Sequence, residues 1–125
     1  MDKVARALSI WLPPLVLMGV IFVLSAMPSD DVDRGLAYFV VRKLAHFTEY
    51  ALLAALWWRA LRTGVAARAA LIGAVAISVA YAATDELHQS TVEGRHGTPA
   101  DVLIDSAGAL TAAGLIARRR STLPA

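Results

Sequence analysis

The run IWLPPLVLMGVIFVLSAM, Ile10 to Met27, holds 18 consecutive residues without a charge. As a helix it would reach roughly 27 Å, close to the hydrocarbon thickness of a bilayer. Few soluble domains of this size can bury a segment of that kind. The remaining composition points the same way: of 125 residues, 58% are apolar and only 18% are charged. The charges are clumped between long uncharged windows, which is the pattern of a membrane protein and not of a solvated surface. Three further apolar runs follow the first. The chain reads as a single domain over residues 1–125, all-α, a polytopic membrane bundle of four transmembrane helices. Its spans are expected at about 10–27, 44–61, 69–87 and 102–117.

A secretory signal peptide is the competing reading of the first run, with Lys3 and Arg6 as its basic start. Leu24-Ser25-Ala26 is a poor cleavage site, and the three later runs favour a span. Pro13-Pro14 is expected near the start of this helix, where a missing N–H matters least, or at a kink. The chain has no cysteine, which excludes disulfides, thiolate metal sites and a cysteine nucleophile. Its net charge is +2, but the basic residues flank apolar runs, so they read as topology signals and no nucleic-acid partner is expected.

The loops give an orientation. Lys3 and Arg6 precede the first span, Arg59, Arg62 and Arg68 bracket the second loop, and Arg118-Arg119-Arg120 follow the fourth span. The other two loops are acidic or mixed: Asp30, Asp31 and Asp33 against Arg34, then Glu93 with Arg95. Arg42 and Lys43 oppose the trend slightly. The positive-inside rule places both termini in the cytoplasm. The Asp30-Asp31-x-Asp33 run reads as a solvated loop, since the rest of a calcium-loop pattern is missing. Trp57 and Trp58 read as an inner aromatic belt.

With that orientation, polar groups from three distant segments arrive at one outer end. Arg42, His46, Glu49, Tyr50 and Leu53 share a stripe of span two at 100° per residue. Ser78, Tyr81, Asp85, His88 and Gln89 share a face of span three, with Glu86 at its edge. Asp101, Asp105, Gly108 and Ala112 align on span four, carboxylates outside and small residues deeper. Charged groups facing lipid are costly and small residues allow close approach, so these faces should converge on an outward-facing polar pocket. The grouping argues against a continuous ion pathway.

The residues at this end also carry a resemblance. Lys43-x-x-His46-x-x-x-Tyr50, then Asp85-Glu86-x-His88-Gln89, Gly94-Arg95 and Asp101-x-x-x-Asp105-x-x-Gly108 closely resemble the VanZ-like family of small bacterial integral membrane proteins. The likeness covers about Lys43 to Leu115, and Asp105 stands where many relatives carry Asn. It implies a multi-pass protein of the bacterial inner membrane and a link to teicoplanin-type glycopeptide resistance. It implies no particular reaction.

Three chemistries suit the pocket. In the leading one, Lys43, His88 and Arg95 grip an anionic headgroup through charge-assisted hydrogen bonds, with Tyr50, Gln89, Asp101 and Asp105 completing the ligand-binding set. The partners would be membrane lipids, a lipid-linked envelope precursor or a lipoglycopeptide, with no cofactor required. The alternative is a membrane-embedded enzyme that modifies a lipid or envelope precursor, its catalytic candidates being His46, Glu49, Asp85, Glu86 and His88. It could use a divalent metal, held by the His46-x-x-Glu49 and Asp85-x-x-His88 pairs with oxygens from Asp101 and Asp105, or acid–base chemistry at His88. Ser90 and Thr91 are weak nucleophile candidates. In the third reading Asp85, Arg95 and Asp101 form a salt-bridged clasp that fastens the outer loop to the helix ends.

Overall fold

A computed structural model describes residues 2–30 and 32–122. The fourth residue run expected at the membrane, like the other three, is helical. Four helices run in the order α1 (Lys3–Ala26), α2 (Gly35–Leu61), α3 (Ala67–Gln89) and α4 (Pro99–Thr122), with no strand among the described residues. Three of them, α1, α3 and α4, are long and apolar enough to cross a membrane. The fourth, α2, is the longest at 27 residues but carries the polar stripe. Short connections make neighbouring helices antiparallel. The α1–α2 and α3–α4 connections meet at one end, where the Ser29 N–H donates to the Glu93 carbonyl at 3.1 Å.

The helices exceed the expected spans because their ends hold polar residues that hydropathy counts against. Asp2 caps α1, its carboxylate accepting from the Ala5 N–H at 2.7 Å. Gly35, at φ +85°, opens α2 in a backbone region that costs other residues a steric penalty, and its N–H donates to Asp33 Oδ1 at 2.8 Å. Thr98 caps α4: its hydroxyl accepts from the Asp101 N–H at 3.3 Å, and Pro99 follows as the first helical residue, where a missing N–H is harmless.

The prolines of α1 sit inside the helix, not at its start, because the helix begins a full two turns earlier at Lys3. Proline at position 13 leaves the Ser9 carbonyl without its i+4 donor. The guanidinium of Arg59, from the last turn of α2, donates to that carbonyl. One sequence defect on α1 is thus satisfied by a residue 50 positions away.

Helix α2 occupies the centre and touches the other three, whereas α1 packs on α2 and α3 only. Small residues make this possible. Ala70, Ala74, Ser78 and Ala82 repeat at i, i+4 along the buried face of α3. Ala54 of α2 packs against Ala109 and Ala112 of α4. Gly108 lies so close to α2 that a β-carbon there would collide with the Phe47 carbonyl. Between membrane helices, where lipid removes most of the hydrophobic drive, such close backbone approach supplies the attraction. The larger core side chains, Ile21, Tyr50 and Leu53, gather with Ala82 where α1, α2 and α3 meet. Most of α1 is outward and apolar, with Val4, Leu8, Leu15, Val16, Phe22 and Val23 all more than half exposed. In water such a face is a liability; against lipid acyl chains it is what a span requires.

Candidate functional site

The end of the bundle formed by the α1–α2 and α3–α4 connections collects the ionisable groups in layers. Outermost, Arg34 pairs with Asp30 at 2.5 Å, both half exposed. Its Nη1 also lies 3.4 Å from the Tyr38 hydroxyl. Asp31, named with Asp30 and Asp33 in the loop reading, lies outside the described residues. One level in, the Lys43 ammonium pairs with Asp101, whose other oxygen accepts from the Thr98 hydroxyl at 3.0 Å. A turn deeper, His46 Nδ1 stands 3.2 Å from Asp105 Oδ1. Deepest, the fully buried Tyr50 donates to Asp85 Oδ2 at 3.3 Å. Gln89 Nε2 reaches both that oxygen and the Ser25 hydroxyl, each at 3.3 Å. The Lys43–Asp101, His46–Asp105, Tyr50–Asp85 and Gln89–Ser25 pairs each join two helices, whereas the Arg34–Asp30, Arg34–Tyr38, Thr98–Asp101 and Gln89–Asp85 contacts are local.

Helical register decides who faces whom. Asp101 and Asp105 are one turn apart on α4 and meet Lys43 and His46, three apart on α2, in the same order. Glu86, expected at the edge of its face, is buried, and its Oε2 accepts from the Thr98 N–H at 2.8 Å. His46, Glu86 and Asp105, one from each of α2, α3 and α4, present donor atoms within 4.8 Å of one another. The i, i+3 pairs read from the sequence do not form this group. Glu49 lines a cleft instead, and His88 stacks on Phe22 of α1 with ring centroids 4.7 Å apart and planes at 5°.

The expected clasp also has different partners. Arg95 pairs with neither Asp85 nor Asp101. Its Nε and Nη2 donate to the carbonyls of Met27 and Leu24, at 2.6 and 3.0 Å, which closes the open C-terminus of α1. The loop is fastened to a helix end, but through backbone acceptors. The Ser90 and Thr91 hydroxyls, just past the end of α3, donate back to the carbonyls of Leu87 and His88 in its last turn.

Two clefts open at this end. One, of about 510 Å³, lies between α1, α2 and α3 and is walled by Arg42, His46, Glu49, Asp85, Gln89 and Arg95. The second, of about 270 Å³, adjoins it over Arg34, Tyr38, Arg42, His46 and Arg95 and extends to Lys43 and Asp101. Arg42 borders both and makes no ion pair or hydrogen bond among the described residues; its guanidinium lies 5.9 Å from the Tyr38 ring centroid. Below the first cleft an apolar groove of about 440 Å³ runs between α1 and α2, lined by Leu17, Val41, Leu44, Ala45, Glu49 and Leu52. Ala45 and Glu49 belong to both cleft and groove. Arg34, Tyr38 and Ser25 were not among the expected site residues. Ser25 was legible as a lone polar residue in an apolar run. The other two lie in a segment whose charges disguised it as loop.

Fold and site together define an all-helical, multi-pass membrane protein with its ionisable groups gathered at one end of the bundle. The chain belongs to the VanZ/LLP1 family, whose profile matches residues 8–120, and the family's name links it to glycopeptide resistance. No curated protein and no solved structure matches it.

Proposed function

We propose that the protein binds an anionic, lipid-linked component of the cell envelope, its headgroup in the polar cleft and its hydrocarbon chain along the α1–α2 groove. The observation that carries this reading is the continuity of the two through Ala45 and Glu49. A cleft that ends in a lateral apolar groove fits a ligand with a charged end and a greasy end. Arg42 supplies the uncommitted cation, and its planar fork suits phosphate or carboxylate. Lys43, Arg95 and His88 are each engaged elsewhere, so they shape the cleft and set its field. With both termini cytoplasmic, as the loop charges argue, the cleft meets the outer leaflet, where envelope precursors and the acyl chain of a lipoglycopeptide such as teicoplanin are both found.

The test is thermal unfolding of the detergent-purified protein with three additions: a polyprenyl phosphate, the matching uncharged polyprenol and glycerol phosphate. Stabilisation is expected from the polyprenyl phosphate alone. Equal stabilisation by the polyprenol would remove the headgroup from the reading, and no stabilisation by any of the three would remove the ligand.

A further inference from the structure

The groups beneath the cleft carry a second site. We propose that His46, Glu86 and Asp105 form the protein part of a binding site for one divalent transition-metal ion, zinc or manganese, in the interior of the bundle. The three come from three different helices, and one donor atom of each lies within 4.8 Å of the others. Ligands about 2.1 Å from a common zinc ion stand roughly 3.4 Å apart in a tetrahedron, so small side-chain rotations close the set. An imidazole with two carboxylates is a donor set that these borderline-to-hard cations take.

Two independent observations point to a cation. Asp105 is fully buried and Glu86 is only 6% exposed, yet Asp105 Oδ2 and Glu86 Oε1 have no hydrogen-bond partner among the described residues. Each carboxylate uses just one oxygen, Asp105 towards His46 and Glu86 towards the Thr98 N–H. Buried carboxylate oxygens left unpaired are expensive. The second observation is charge. Two carboxylates share the cluster, and Lys43, the cation one level above, is committed to Asp101. A protonated His46 would offset one negative charge only. A divalent ion offsets both.

Access and support are present too. His46 borders both clefts, so the site connects to the polar end of the bundle, and water from that side can complete the coordination. The Thr98 N–H holds Glu86 from behind, as outer-shell donors hold metal-ligating carboxylates. The proposal is independent of the headgroup reading, because Arg42 and the apolar groove take no part in it.

The protein, stripped with chelator in detergent, is dialysed separately against Zn²⁺ and Mn²⁺ and its metal content measured beside Glu86→Gln, Asp105→Asn and Arg68→Gln, the last on an exposed residue at the opposite end of the bundle. One equivalent of one metal per chain is expected for wild type and Arg68→Gln, with affinity at least a hundredfold weaker in the two carboxylate variants. Because those variants can fail to fold, X-ray absorption of the metal-loaded wild type is the second measurement. It should show a nitrogen/oxygen shell with a single imidazole, although the chain has three histidines. Less than a tenth of an equivalent in wild type would overturn the site, leaving a carboxyl pair that shares a proton. So would unchanged binding in folded Glu86→Gln and Asp105→Asn, or a shell with two imidazoles.

Discussion

His46 Nδ1 and Asp105 Oδ1 stand 3.2 Å apart across 59 residues of sequence, and that contact sets the register of α2 on α4. One turn above it Lys43 meets Asp101, and one turn below, Gly108 admits the Phe47 carbonyl. Polar pairing and close backbone packing on this face therefore specify the same alignment, so disturbing either should disturb both.

Gly108→Ala should lower stability by about 1–3 kcal/mol, the usual cost of forcing extra volume into a packed interface. Gly114→Ala, on the same helix with open space around it, should be neutral or slightly stabilising, since alanine is the better helix former. Unfolding of the two variants in mixed micelles compares them directly. Equal effects would mean that the α2–α4 contact is looser than described.

Lys43→Met strands the Asp101 carboxylate, which is 9% exposed, while the Lys43 side chain keeps 28% of its surface in contact with solvent. The loss should be on the order of 2 kcal/mol, below the figure for a fully buried pair. Adding Asp101→Leu should recover part of it, because no charge is then left unpaired. A double-mutant cycle reads the coupling, and additive effects would show that the pair contributes nothing.

Tyr50→Phe removes one donor to Asp85 without changing the shape of the core. Tyr50 is fully buried and Asp85 is 4% exposed, so among the described residues the carboxylate keeps only Gln89 as a donor. A loss of about 1–3 kcal/mol is expected, seen as a lower melting temperature at unchanged helix content. An unaltered melting temperature would mean that water replaces the hydroxyl.

Orientation is testable because the chain has no cysteine. Glu93→Cys, in the α3–α4 connection, and Gly64→Cys, at the α2–α3 turn, both place a thiol on an exposed residue. A membrane-impermeant maleimide should label position 93 in intact cells and position 64 only after permeabilisation. The reverse pattern would invert the topology read from the loop arginines.

Hydropathy located the four helices, since runs such as Ile10–Met27 have no other stable arrangement in a bilayer. It shortened α2, because Arg34, Tyr38, Arg42 and Lys43 look like loop when judged residue by residue, yet they lie on or beside the first turns of a 27-residue helix. The stripe Asp101, Asp105, Gly108 and Ala112 was readable and all four residues are buried, because 100° per residue fixes a face. The partner of each face was not readable. Whether Asp85 or Glu86 points at α4 depends on how α3 is rotated against its neighbours, and that is set by the packing of Ala70, Ala74, Ser78 and Ala82. The same rotation sends His88 to Phe22 of α1. Arg95 was expected against acids, but carbonyl acceptors at a helix end carry no signature in side-chain composition.

The most direct measurement of ligand binding is native mass spectrometry of the detergent-purified protein beside Arg42→Gln and Arg68→Gln. Both variants lose one positive charge, the first at the cleft and the second on an exposed residue at the opposite end of the bundle. Wild type and Arg68→Gln should retain a single anionic lipid adduct that Arg42→Gln loses, reflecting about a tenfold drop in affinity, or roughly 1.4 kcal/mol. An adduct retained equally by all three, or by none, would contradict a headgroup site at Arg42.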